Sequence, residues 1–119
     1  RKRFKRCWRW FALLVKQHTK IYIEALGYHI TDFMPCELTN GQGVDIHHIV
    51  NRDNRIENLM LLNRELHIRY GEIKHAMVFL LKAHRNFLQA NNVQFDNTWF
   101  ETNINKYSIY ENRNKAFKR

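Results

Sequence analysis

Three histidines and one asparagine lie within a stretch of fewer than thirty residues near the middle of the chain: His47, His48, Asn58 and His67. An imidazole has an unperturbed pKa of about 6.5, so it can take the proton of an attacking water molecule at neutral pH. Imidazoles also bind divalent cations, which act as Lewis acids beside a phosphate that is being hydrolysed. These residue types therefore suit the hydrolysis of a phosphodiester bond.

Short elements of secondary structure must position these side chains. The apolar residues within 44–49 predict one short strand, and residues 58–62 predict a second. Asn63 is a suitable N-cap for a following helix, with Glu65 at the positive end of the helix dipole and His67 near its beginning. Because adjacent residues on a strand point to opposite faces, the two neighbouring histidines diverge unless the strand ends or bulges there.

In order and spacing, these residues resemble the motif of the HNH endonuclease family, whose fold is the ββα-metal finger. The matching positions are the pair His47-His48, the central Asn58, and His67, nine residues after Asn58. The resemblance implies that His47 and His67 bind a divalent metal, that His48 is the general base and that Asn58 braces the loop holding the base. Asp45 lies where some members carry an acidic residue that supports the site.

Two features depart from the family pattern. Nine residues separate His48 from Asn58 and none is glycine, whereas many relatives have a longer, glycine-rich loop. Many relatives also bind a structural zinc through two CxxC pairs, and the corresponding positions here are Cys36, Thr39, Asn63 and Leu66. One thiolate cannot form a tetrahedral zinc site, so we predict no zinc ribbon and expect packing by flanking helices to stabilise the finger.

Composition bounds the possible partners. The chain has 119 residues, of which 45% are hydrophobic, so we expect a single domain with a real core. A formal net charge of +9 indicates a polyanionic partner, with nucleic acid ahead of an anionic membrane surface. Two cysteines make no disulfide framework, and no stretch reaches the roughly 18 apolar residues of a membrane span.

The flanking segments are basic and aromatic. Residues 1–27 form a basic N-terminal segment in which 4–26 are expected to be mostly helical, and a short strand is expected at 28–30. Residues 72–90 have apolar side chains at helical spacing and predict an amphipathic helix. The aromatic residues in 93–119 show no clean period, and this tail could pack on the core, form a homodimer or bind DNA.

Together with the resemblance, these features predict a mostly helical α+β domain over residues 1–119, with a ββα-metal finger at 43–71 between N-terminal and C-terminal helices. The expected function is a metal-dependent HNH endonuclease that nicks or cuts DNA, with double-stranded DNA favoured. The alternatives are an inactive nucleic-acid-binding module with the same scaffold, or a membrane-surface or partner-binding protein that uses the basic head. Phosphate contacts are expected from Arg52, Arg55, Arg64, Arg69 and Lys74.

The expected cofactor is one divalent metal ion. Two imidazoles favour Zn²⁺, Ni²⁺ or other transition ions, whereas relatives that cleave DNA often use Mg²⁺ or Mn²⁺. With two protein ligands, weak and exchangeable binding is expected in the absence of DNA. The resemblance also implies a cytoplasmic location in a bacterial or phage-infected cell.

Overall fold

Four α-helices and one two-stranded antiparallel sheet make up the described part of the chain, residues 16–29, 32–71 and 73–117 of a computed structural model. The elements are, in chain order, α1 (Gln17–Leu26), β1 (Asp45–His48), β2 (Leu59–Leu62), α2 (Arg64–Tyr70), α3 (Met77–Ala90) and α4 (Asn97–Phe117). The predicted α+β class with mostly helix is confirmed. None of the described helices is long and apolar enough to cross a membrane.

The first helix agrees with the prediction over the range that can be compared. Of the helix expected over 4–26, residues 4–15 lie outside the described residues, and α1 covers the remainder from Gln17. Gly27 ends α1 in the left-handed conformation, with φ of 72°, as glycine commonly does. The strand expected at 28–30 is wrong for Tyr28 and His29, which belong to no strand, while residue 30 lies outside the described part.

Both faces of the sheet are covered, and this explains why all four residues of β2 are buried. Leu59 and Leu61 pack with Tyr22 of α1, whereas Met60 and Leu62 join the larger core that α3 and α4 complete. This division follows from the alternation of side chains along a strand. The sheet is therefore held between the N-terminal helix and the two C-terminal helices.

Helix α2 follows β2 after a single residue. The predicted N-cap is confirmed, because the Asn63 side chain accepts a hydrogen bond of 2.8 Å from the Leu66 N–H. The helix ends at Gly71, where a Cβ atom would lie 2.5 Å from the carbonyl oxygen of His67. Any larger residue at this position would therefore displace the backbone of His67.

The C-terminal tail, for which the sequence showed no clean period, is the helix α4. Phe100, Ile104 and Tyr107 recur at a spacing of four and three residues, and they place one side of α4 against the core. The Phe100 ring makes edge-to-face contacts with Phe95 and Trp99, at centroid distances of 5.4 and 5.3 Å. The segment predicted as one helix over 72–90 is a 3₁₀ turn, Lys74–Ala76, followed by α3.

A buried polar network joins three of these elements. Glu37 Oε1 lies 2.6 Å from His84 Nδ1, and Glu37 Oε2 accepts hydrogen bonds from the Tyr22 hydroxyl at 2.6 Å and the Leu61 N–H at 3.1 Å. The other ring nitrogen of His84 donates to the Ile56 carbonyl at 2.7 Å. The Glu37 and His84 side chains are 0% exposed, so these bonds offset a large desolvation cost. The network links α1, β2 and α3.

The turn that contains Cys36 contacts the start of α2. Burial raises the pKa of the Cys36 thiol, but hydrogen bonds from the Thr39 side chain and from backbone N–H groups, including that of Asn63, outweigh burial and lower it. Cys36, Thr39 and Asn63 are thus joined by hydrogen bonds.

Candidate active site

A cleft of about 810 Å³ lies between β1, the loop that follows it and α2. We call it the histidine cleft, because the three histidines of the predicted motif line it: His47, His48 and His67. The loop contributes Arg52, and the far side of the cleft continues to Met77 at the start of α3. Residues that are up to 31 positions apart in the chain therefore meet in one cleft.

His47 and His67 face each other across the cleft. Their ring centroids are 5.0 Å apart, with His47 on β1 and His67 on the first half of α2. His47 is only 7% exposed. Burial, followed by the charges of His67 and His48, lowers the pKa of His47 to about 4. At neutral pH its imidazole is uncharged and has a lone pair available for a metal ion.

Asp45, two residues before His47 on β1, contacts the His67 ring of α2. Its Oδ2 lies 3.1 Å from Nδ1 of His67, and Arg64 Nη2 donates to its other oxygen at 3.2 Å. Burial raises the pKa of Asp45, but the hydrogen bonds and charges of Arg64 and His67 outweigh it and lower the pKa. A carboxylate only accepts, so Nδ1 of His67 carries the hydrogen in this contact and Nε2 is the ring nitrogen left outside it.

His48 follows His47 as the last residue of β1, and both residues line the same cleft. Its Nε2 donates to Oδ1 of Asn54 at 2.9 Å. With that hydrogen on Nε2, Nδ1 is the nitrogen that can accept a proton. The His18 ring of α1 packs edge-to-face against the His48 ring at 5.0 Å between centroids. Both contacts hold the orientation of the His48 ring.

Asn58 closes the short loop between the strands. The Asn58 side chain is fully buried and makes four hydrogen bonds with the loop. Its oxygen accepts from the Val50 N–H at 3.0 Å, while its amide nitrogen donates to the carbonyls of Asn51 and Asp53 at 2.7 and 2.9 Å. The loop has no regular strand pairing, and the side chain of Asn58 supplies hydrogen bonds to its backbone instead. These bonds tie the Asn58 side chain to the loop residues Val50, Asn51 and Asp53.

Sequence reasoning missed two contacts of His48. His18 lies thirty residues before it, and Asn54 is one of several polar residues in the loop, so neither stands out by spacing. Burial, the charge of His48 and the charge of Lys16 lower the pKa of His18. His18 is therefore an uncharged neighbour of His48 at neutral pH. The sequence signal for the contact of His18 with His48 is helical spacing, which places residue 18 on the same face of α1 as the buried Tyr22.

The structure separates the five basic residues expected to contact phosphate. Arg52 lines the cleft, and Lys74 begins the 3₁₀ turn whose neighbours Ile73 and Met77 also line it. Neither cation forms an ion pair with another described residue. Arg52 and Lys74 thus carry uncompensated positive charge in and beside the cleft.

The other three arginines have carboxylate partners. Arg64 pairs with Asp45 at 3.2 Å, and Arg55 pairs with Glu57 at 3.2 Å. Arg69 lies 3.4 Å from a glutamate one turn earlier in α2, in an exposed pair. Such exposed pairs are weak, so Arg69 can exchange its partner for a phosphate at little cost. Arg55 also lies over the Trp99 ring, 5.6 Å from its centroid, which directs it towards α4.

The donor set suits a divalent cation held by few protein ligands. His47 offers an uncharged nitrogen and His67 offers the ring nitrogen opposite its Asp45 contact, and that carboxylate is the type of outer partner that orients a ligating histidine. Among the described residues, no group of three or more His, Cys, Asp or Glu side chains is arranged to hold a metal. Further ligands would therefore come from water or phosphate.

The arrangement combines a candidate proton acceptor, a candidate metal site and positive charge in one cleft. These features together suit hydrolysis of a phosphate ester more than any single one of them does. Searches with this chain against protein-family models, curated proteins and solved structures gave no match.

Proposed function

We propose that the chain is a metal-dependent endonuclease of the HNH type that hydrolyses phosphodiester bonds in DNA. One observation carries the proposal: His47 and His67 meet in the same cleft that His48 lines, and Asp45 contacts His67. The order of two paired strands followed by a helix, with the motif histidines on β1 and α2, supports a ββα-metal finger.

In this proposal, His47 and His67 hold one divalent cation, with Mg²⁺ or Mn²⁺ as in relatives or Zn²⁺ or Ni²⁺ by preference of the imidazoles. The bound cation supplies a Lewis acid that stabilises negative charge on the phosphate. The Asp45 carboxylate fixes the His67 ring by accepting its Nδ1 hydrogen. The pKa of His47 near 4 keeps that imidazole uncharged at neutral pH.

His48 is the general base. Its Nδ1 accepts a proton from a water molecule as the water oxygen bonds to phosphorus and the bond to the leaving oxygen breaks. Asn54 holds the opposite nitrogen, and the loop braced by Asn58 keeps Asn54 in position. The role of Asn58 is thus to position the base, without contact to the substrate.

DNA fits the charge of the protein. The chain has a formal net charge of +9, and Arg52 in the cleft has no carboxylate partner among the described residues. Contacts of arginine and lysine to phosphate bind without reading sequence, so binding is expected to weaken steeply with salt.

Cleavage of supercoiled plasmid tests the proposal. Wild type, His48→Ala and the control His75→Ala are compared with chelator, Mg²⁺, Mn²⁺, Zn²⁺ and Ni²⁺. His75 is an exposed histidine that does not line the cleft. We expect metal-dependent relaxed or linear product from wild type and His75→Ala, and a rate on the order of 100-fold lower from His48→Ala.

Two results would contradict this mechanism. Equal cleavage by wild type and His48→Ala, with contaminating nuclease excluded, would remove His48 as the base. Absence of cleavage with every ion, while DNA still binds in a gel-shift assay, would favour the inactive binding module.

A further inference from the structure

Two lysines and two tyrosines form a connected group of surface side chains beside the histidine cleft. We call it the lysine–tyrosine strip, and its members are Lys74, Lys106, Tyr107 and Tyr110. Nζ of Lys74 lies 5.3 Å from the centroid of the Tyr110 ring, and Nζ of Lys106 lies 5.4 Å from that of Tyr107. The two tyrosine rings are stacked at 5.9 Å, so the strip has a cation at each end.

The strip carries charge that the rest of the described surface does not neutralise. No carboxylate of the described residues lies within 4.0 Å of either ammonium group, whereas Arg64 and Arg85 each contact an acidic side chain. A tyrosine face attracts an ammonium group and limits its motion without removing its charge. Both lysines are exposed, so the ordered charge faces solvent.

The strip begins at the edge of the cleft. Lys74 is the first residue of the 3₁₀ turn, directly after Ile73 and three residues before Met77, and both of these line the cleft. Lys106, Tyr107 and Tyr110 lie on α4, which packs against this turn. A polymer that leaves the cleft over the turn would therefore meet the strip next.

We propose that the lysine–tyrosine strip binds the phosphodiester backbone of DNA that extends beyond the histidine cleft. The proposal rests on the proposed function, because it takes DNA as the molecule in the cleft. The two ammonium groups contact phosphates, and the stacked tyrosines keep the two cations in place. The strip adds affinity for flanking DNA and takes no part in the hydrolysis.

The salt dependence of DNA binding tests this proposal without any cleavage. A labelled duplex is titrated with protein in chelator at several salt concentrations, and log affinity is plotted against log salt. The slope of this plot is negative, and each lost phosphate contact lowers its magnitude by about 0.9. We expect Lys74→Ala with Lys106→Ala to lower this magnitude by about 2 relative to wild type.

Two controls make the result specific. Lys82→Ala removes an exposed lysine of α3 that is outside the strip, and the slope should stay at the wild-type value. Lys74→Arg with Lys106→Arg keeps both charges, so this variant should keep most of the slope.

The possible outcomes separate this proposal from the proposed function. A wild-type slope in the double alanine variant would refute the strip, even if the protein cleaves DNA. A fall in slope magnitude of about 1 for Lys82→Ala, half that of the double variant, would refute it as well, because the effect would then follow from net charge alone. A slope magnitude lowered by about 2 in the double variant alone would support the strip, whether or not plasmid is cleaved.

Discussion

Replacement of Asn58 by alanine should destabilise the loop between the strands. In the alanine variant, the Val50 N–H loses the acceptor that lies 3.0 Å away, and an unsatisfied buried donor costs about 1–3 kcal/mol. The carbonyls of Asn51 and Asp53 belong to exposed residues and can turn to water, so they add less. We therefore expect the free energy of unfolding to fall by about 2 kcal/mol.

Urea unfolding at pH 7, in chelator and without DNA, measures this loss. Asn54→Ala is the control, because it removes one hydrogen bond, to His48, from a half-buried side chain and should cost less than about 1 kcal/mol. Asn58→Asp keeps an acceptor for Val50 but turns a carboxylate towards carbonyl oxygens, so it should be no more stable than Asn58→Ala. Equal losses in Asn58→Ala and Asn54→Ala would refute the bracing role.

Three further predictions concern the histidines of the cleft. His67→Ala should abolish metal binding and cleavage together, whereas Asp45→Asn should weaken metal affinity by about 10- to 100-fold in calorimetry, because the partner of His67 is lost. The pKa of His47 is lowered to about 4 in the folded protein. Below about pH 6.5, the His47 side chain therefore binds a proton in the unfolded chain but stays unprotonated in the folded protein. Stability of the metal-free protein should then fall by up to about 3 kcal/mol as pH drops towards 4, and by less in His47→Asn, as measured by urea unfolding. His18→Phe keeps a ring against His48 and should keep kcat near wild type in steady-state cleavage assays. His18→Ala removes the ring and should lower kcat at unchanged KM. Equal kcat values for the two variants would argue against a role for ring packing.

Local signals in the sequence predicted the elements around the site. The Asn63 cap, the two short strands and the end of α2 at Gly71 agree with the structure, because each depends on a few neighbouring residues. His47 and His67 lie close together because only the short hairpin and the first turn of α2 separate them in the chain. Elements with strong local preferences were therefore predictable to within one or two residues.

The missed features depend on contacts between distant parts of the chain. Glu37 and His84 are forty-seven residues apart, and nothing local in the sequence shows that they share a buried hydrogen bond. The pairing of His18 with His48 has the same cause. Helix α4 did have a signal, the spacing of Phe100, Ile104 and Tyr107, but its other aromatic residues and many polar ones obscured the period.

The bond between His84 and the Ile56 carbonyl has a consequence for synthesis of the protein. Every residue that lines the histidine cleft has been made by position 77, yet the end of its loop is held by a side chain at position 84. One face of β2 also packs in the core that Phe100 and Ile104 complete, so its cover stays incomplete until those residues have been made. Because such distant contacts must form before the loop is fixed, the nascent chain should remain without a formed cleft until α4 has left the ribosome.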